Sequence, residues 1–144
     1  MLKQFLESEK MPLIQEHWSN RCFRIFRRRL NLEAGITTLF CAELIAAAYY
    51  EALKKQTGSV LLKQICEKIL REEKAHLAFQ IAGIQPFYEK RSNAVNRLYA
   101  VANAFFLFGT CCAVWLNHRQ VLKAGGFKGF YFLKFVFRLR KKMI

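Results

Sequence analysis

From Ile36 to Ile84 the chain places apolar residues three and four apart, and the pattern breaks only at Thr57-Gly58-Ser59. That spacing is the repeat of one helical face, sustained over two runs too long for strands. Three turn-forming residues between two such runs leave room only for a reversal, so the two helices lie antiparallel as an αα-hairpin. The first is expected over residues 36–55, with Ile36, Leu39, Phe40, Glu43, Ala47 and Tyr50 on one face. Asn31 to Gly35 reads as a loop or as the capped start of this helix. The second is expected from Val60 to about Ile84, with Ser59 as its N-cap and Pro86 as its end.

The remaining segments extend the same all-α reading. Leu2, Phe5 and Leu6 suggest a turn or two of helix at residues 1–9. Residues 13–29 form a basic amphipathic stretch in which Trp18, Cys22, Ile25 and Phe26 oppose a run of arginines. A third long helix is expected from Asn93 to about Lys123, ended by Gly125-Gly126. All ten acidic residues are Glu, and only two Pro and seven Gly interrupt 144 residues, which suits helix throughout. The organisation expected is a helical bundle domain over residues 1–126 and a basic aromatic tail over 127–144.

Glu73 and His76 are the residues that do not fit an ordinary core. Advancing about 100° per residue from Leu62, the positions of Ile69, Glu73 and His76 all fall within about 40° of it. Two polar side chains thus occupy the middle of the apolar stripe formed with Ile65, Cys66, Leu77 and Gln80. On the first helix Glu43 sits among Leu39, Phe40, Ala46 and Ala47, again on the inward face. A buried carboxylate must find a cation, a hydrogen-bond donor, a proton or a metal. Two readings follow. Either Glu43, Glu73 and His76 ligate metal, or a Glu–His or Glu–Arg pair fixes helix register. Tyr50, two turns beyond Glu43, is a hydrogen-bond donor behind those carboxylates or simply core. His17 and His118 read as ordinary surface or interfacial residues.

One Glu on one helix with Glu-x-x-His on its neighbour is the half-pattern of carboxylate-bridged dimetal bundles. With ELIAAAYYEAL at 43–53 and TGSVLLKQICEKILREEKAHLAF at 57–79, the chain resembles the second half of a ferritin-like di-iron carboxylate domain, most closely the bacterial ferritin-like domain proteins. The resemblance covers about residues 12–142, and its motifs lie within 36–80. It implies a ferritin-like bundle of non-haem dimetal, oxidoreductase type. Its ligands would be Glu43, Glu73 and His76, and its cofactor two iron ions per complete site, with manganese as the alternative. Glu72 stands where such proteins often carry an Asp before the ligand. The family pattern has a further Glu helix and a further Glu-x-x-His helix, for which the ten residues before Met11 leave no space. The expectation is therefore either a truncated site or a homodimer in which two copies supply four Glu and two His.

The charge is lopsided. The chain carries +14 formally, and no acid follows Glu89 although Lys and Arg continue to Lys142. Such a surface favours anionic partners. Leu98 to Leu116 has no charge, with Arg97 and Arg119 at its ends. It reads as a buried bundle helix, a membrane span, or a helix at a membrane surface or partner. The tail interleaves Phe and Tyr with Lys and Arg, which suits anionic lipid headgroups or coverage of the bundle's end. No helix-turn-helix, RRM or zinc pattern supports specific nucleic-acid binding. Cys22, Cys41, Cys66, Cys111 and Cys112 have no C-x-x-C spacing and read as reduced core thiols. With no apolar h-region at the start, this gives a cytoplasmic protein, membrane association left open. The alternative function is a non-enzymatic helical protein on an anionic membrane surface or a protein partner.

Overall fold

The computed structural model describes residues 2–10, 24 and 31–143, and these contain helix and no strand. The elements are α1 (Leu2–Ser8), α2 (Leu32–Gln56), α3 (Val60–Glu89), α4 (Asn93–Ala124) and α5 (Gly129–Met143). The basic amphipathic stretch expected at 13–29 lies outside the described residues apart from Arg24, which is helical and exposed.

Each long helix begins on a side-chain cap. Asn31 accepts from the Ala34 N–H at 2.9 Å, so α2 starts at Leu32, four residues before the expected Ile36. Ser59 accepts from Leu62 at 3.3 Å, as its sequence position predicts. Ser92 opens α4 towards Val95 at 3.5 Å. Every cap satisfies one of the amide donors that a helix start leaves without a partner.

Pro86 does not end α3, contrary to expectation; the helix runs on to Glu89. Proline removes one N–H, and here the loss falls in the last turn, where few bonds remain to be broken. Ala82, whose carbonyl loses that donor, is exposed and open to water. Gln85 also bridges the proline by donating to Glu89 at 2.9 Å.

The end of α4 follows glycine chemistry. Gly126 takes φ +83°, the Phe127 N–H reaches back to the Leu122 carbonyl at 2.8 Å, and the Gly126 N–H to Lys123 at 3.0 Å. These bonds, with Leu122 and Phe127 both fully buried, make a Schellman motif. Gly125 is needed for a different reason: a Cβ there would lie 2.6 Å from the Ala52 Cα, so only glycine lets α4 end against α2.

The core is built on α2. Leu44, Ala48 and Ala52 are fully buried with Leu107 and Cys111 of α4, and with Phe127, Phe132 and Val136 of the C-terminal segment. The segment read from sequence as a tail is thus a helix whose aromatic side is part of this core. It runs antiparallel to α4, with Phe132 stacked on Trp115 at 6.2 Å and Arg140 donating to the Ala100 carbonyl at 3.2 Å. The other face of α2 packs on α3, giving the antiparallel hairpin foreseen in the sequence.

Among the described residues, two helices, α2 and α4, are long and apolar enough to cross a membrane by length and composition. They differ in how much is covered: 39% of the apolar stretch of α2 is buried, against 11% for α4. The reading of 98–116 as a buried bundle helix is therefore corrected. Only Leu107 and Cys111 within it are buried, while its outer side lies open. The core assignment of the cysteines is corrected at one position. Cys41, Cys66 and Cys111 are buried free thiols, whereas Cys112 points outward from the same helix.

Candidate metal centre

Glu43 is brought to the α2–α3 seam by the middle of α2, in register with the fourth and fifth turns of α3. Glu73 and His76, three apart on α3, point to the same place. One ligand atom from each of the three side chains lies within 4.8 Å of the others. The three residues singled out from the sequence are thus brought together, from two helices.

Their burial is graded. The Glu43 side chain is 19% exposed and Glu73 half-buried, but His76 is 62% exposed. The expectation of an inward His76 is corrected here: α3 turns its carboxylate inward and its imidazole to the rim. Position 76 lies on the far side of the stripe from Cys66 and Leu77, which are buried. His76 Nδ1 is 3.8 Å from Glu43 Oε1, too long for a strong hydrogen bond and in reach of an ion pair if the ring is protonated.

The carboxylates are poorly satisfied by protein. Glu43 Oε2 and Glu73 Oε2 are both buried without a hydrogen-bond partner. Burial is the chief reason the Glu43 carboxyl titrates above the usual range; the His76 charge and a hydrogen bond from Gln80 pull it back. Glu73 is also pushed up, first by burial and then by the Glu43 charge, with His76 opposing and Glu72 adding. The Glu43 charge therefore raises the cost of ionising Glu73. Tyr50 is half-buried and its phenol is held above the usual range by burial and by Glu73. Its ring meets Tyr49 edge-on at 5.8 Å. Glu72 stays outside, exposed and paired with Lys68 at 3.9 Å.

Compared with protein-family models, with curated proteins and with solved structures, the chain matches none.

The donor set itself narrows the chemistry. Two carboxylates and one imidazole, with no thiolate among them, suit hard-to-borderline divalent ions such as iron, manganese or zinc, and not soft ones. The two unpartnered oxygens are what such an ion would satisfy, so the residues present fit a metal. Beside the cluster, an open groove of about 670 Å³, lined by Leu77, Phe135 and Leu139 and by the charged Glu51, Lys54 and Arg71, reaches Glu73 from solvent.

One polar contact escaped sequence reading. Glu33, in the first turn of α2, is 8% exposed and bonds Arg91 from the α3–α4 turn. Arg91 also lies over the Tyr99 ring at 4.1 Å and donates to the Phe87 carbonyl at 3.0 Å. Its sequence signal was slight: an acid at the start of one helix and a base between two others, 58 residues apart. It ties the hairpin to α4 and plays no part in the cluster.

Proposed function

We propose that this chain is a carboxylate–histidine metal protein whose ligands are Glu43, Glu73 and His76. The observation that carries the reading is the pair of buried, unpartnered oxygens, Glu43 Oε2 and Glu73 Oε2, converging with an accessible imidazole. A structural ion pair would leave fewer acceptors unanswered. It would also place the cation nearer than 3.8 Å and away from water.

With the resemblance of residues 36–80 to the second half of a ferritin-like domain, the proposal becomes a dimetal site of non-haem, di-iron type, with manganese the alternative. One chain supplies three ligands. Two copies related by a two-fold axis, meeting over the exposed His76 edge, supply four Glu and two His. Iron held there supplies redox chemistry with oxygen, which makes the protein an oxidoreductase in this reading. The chain's own residues do the rest. Glu43 and Glu73 bring two negative charges together at the seam, Gln80 orients Glu43, and His76 offers its nitrogen from the rim. The half-buried Tyr50 phenol stays protonated beside Glu73.

Metal analysis of the purified protein tests this. Iron, manganese or zinc should be retained in a ratio of about one ion per chain, as two ions shared by six ligands require. No metal above the level of a Glu43→Ala, Glu73→Ala, His76→Ala triple variant would end the proposal. Light scattering with and without metal tests the two-copy site, and oxygen consumption with added reductant tests the redox role.

A further inference from the structure

Among the described residues, the outer side of α4 presents apolar side chains that nothing in the fold covers. Leu98, Val101, Phe105 and Leu116 are 68, 53, 73 and 69% exposed, and Phe108 lies on the same side. Their positions fall on one side of α4 ahead of its break at His118, turned away from the buried Leu107 and Cys111. From Leu98 to Leu116 the stripe is about 27 Å long, without a charge, and exposed Arg97 and Arg119 stand at its two ends. Apolar patches of this extent on a soluble surface mark a place where something docks.

Charge selects the occupant. No acid occurs anywhere in α4 or α5. α5 runs back along α4 from Trp115 to Ala100, and its exposed Lys134, Arg138 and Lys141, at i, i+4 and i+7, form a basic row on the open side of this neighbouring helix. A second copy meeting the first through this face would set one basic row near another. An anionic bilayer offers both parts of the complement: acyl chains for the stripe and headgroup charge for the row.

We propose that α4 lies in the plane of an anionic phospholipid membrane, with Leu98, Phe105 and Leu116 in the headgroup–acyl boundary and Lys134, Arg138 and Lys141 on lipid phosphates. The helix does not cross the bilayer, because its inner side is buried against α2 and α5, and both carry charges that would be dragged into the hydrocarbon. The exposed Phe130, beside Gly129 where α5 starts against Trp115, extends the apolar contact at that end. The Glu43–Glu73–His76 cluster lies on the α2–α3 side, away from α4, and faces water in this orientation. The inference does not depend on metal binding.

Sedimentation of the full chain with vesicles of phosphatidylcholine, with and without phosphatidylserine, tests it at low and at high salt. The protein should pellet with the serine-containing vesicles. A Phe105→Glu, Leu116→Glu variant should bind at least about tenfold more weakly, since each acid must leave the boundary. A Lys134→Ser, Arg138→Ser, Lys141→Ser variant should lose most of its salt dependence. All these side chains are exposed, so circular dichroism should be unchanged. If the glutamate pair nevertheless unfolds the chain, Leu98→Gln with Phe105→Gln reads the same contact. Protein left in the supernatant with serine-containing vesicles overturns the proposal, and so does equal pelleting of a folded glutamate or glutamine variant. Equal binding to both vesicle types removes the basic row from it. A lipid-free dimer dispersed by Phe105→Glu also overturns it, by making a second copy the occupant.

Discussion

Glu43 Oε1 and His76 Nδ1 face each other at 3.8 Å across the α2–α3 seam, one side chain largely buried and the other largely in water. A pair at that distance with its cation in water is worth about 1 kcal/mol or less. His76→Ala should therefore change the stability of metal-free protein by less than about 1 kcal/mol. If the pair belongs to a metal site, the same substitution should abolish most of the rise in Tm that added manganese, ferrous iron or zinc gives the wild type. Thermal melts with and without metal separate the two roles. An equal metal response in wild type and variant would count against ligation.

The two carboxylates give a pH dependence with a definite sign. Burial raises both, and Glu43 raises Glu73 further, so each has a higher value in the fold than in the unfolded chain. A group raised in this way contributes stability that is present below the ordinary Glu range. That contribution is lost as the pH rises through the folded value. Glu43→Gln and Glu73→Gln should thus stabilise metal-free protein at neutral pH, and the gain should vanish below the Glu range. Urea unfolding at pH 7 and at about pH 3, below the ordinary Glu value, measures it. Destabilisation by both variants at neutral pH would contradict the burial argument.

Breaking the Glu33–Arg91 contact should cost more than any change at His76. Glu33→Ala leaves the Arg91 guanidinium without its carboxylate, a loss of stability that lowers the denaturant midpoint. Arg91→Lys should recover only part of it, because lysine lacks the planar fork and stacks poorly on Tyr99. Denaturant midpoints of the three proteins give the order.

The two glycines that end α4 should respond differently to alanine. Gly126→Ala meets no neighbour but must hold φ +83°, at a cost of about 1 kcal/mol. Gly125→Ala drives a methyl group into the Ala52 backbone and should cost about 2–3 kcal/mol through displaced packing. Equal effects would mean that the α2–α4 approach is looser than the Ala52 contact requires.

Thiol labelling should single out one helix face. In a Cys22→Ser background, Cys112 should react quickly with a maleimide, while Cys41, Cys66 and Cys111 should wait for unfolding. Burial pushes the Cys41 thiol up to about 11 and Cys111 to about 12, which slows them further. Vesicles that bind α4 should also protect Cys112, because it shares the outer side with Phe105 and Phe108.

What the sequence determined by itself was local. Caps at Asn31, Ser59 and Ser92, the turn at Thr57–Ser59, and the stop at Gly125–Gly126 involve residues within a few positions of one another. Their effect on the backbone is the same whatever packs nearby. The joint direction of Glu73 and His76 was legible for the same reason, since residues three apart on a helix share a side. Pro86 misled because the strength of a helix breaker depends on how many bonds lie beyond it. Tertiary structure decided which faces are covered. An apolar stripe has one periodicity whether it meets α2, lipid or water, so neither the exposure of His76 nor that of Leu98, Phe105 and Leu116 could be read from spacing. The meeting of Glu33 with Arg91, 58 residues on, was likewise set by how the end of the hairpin packs and not by spacing.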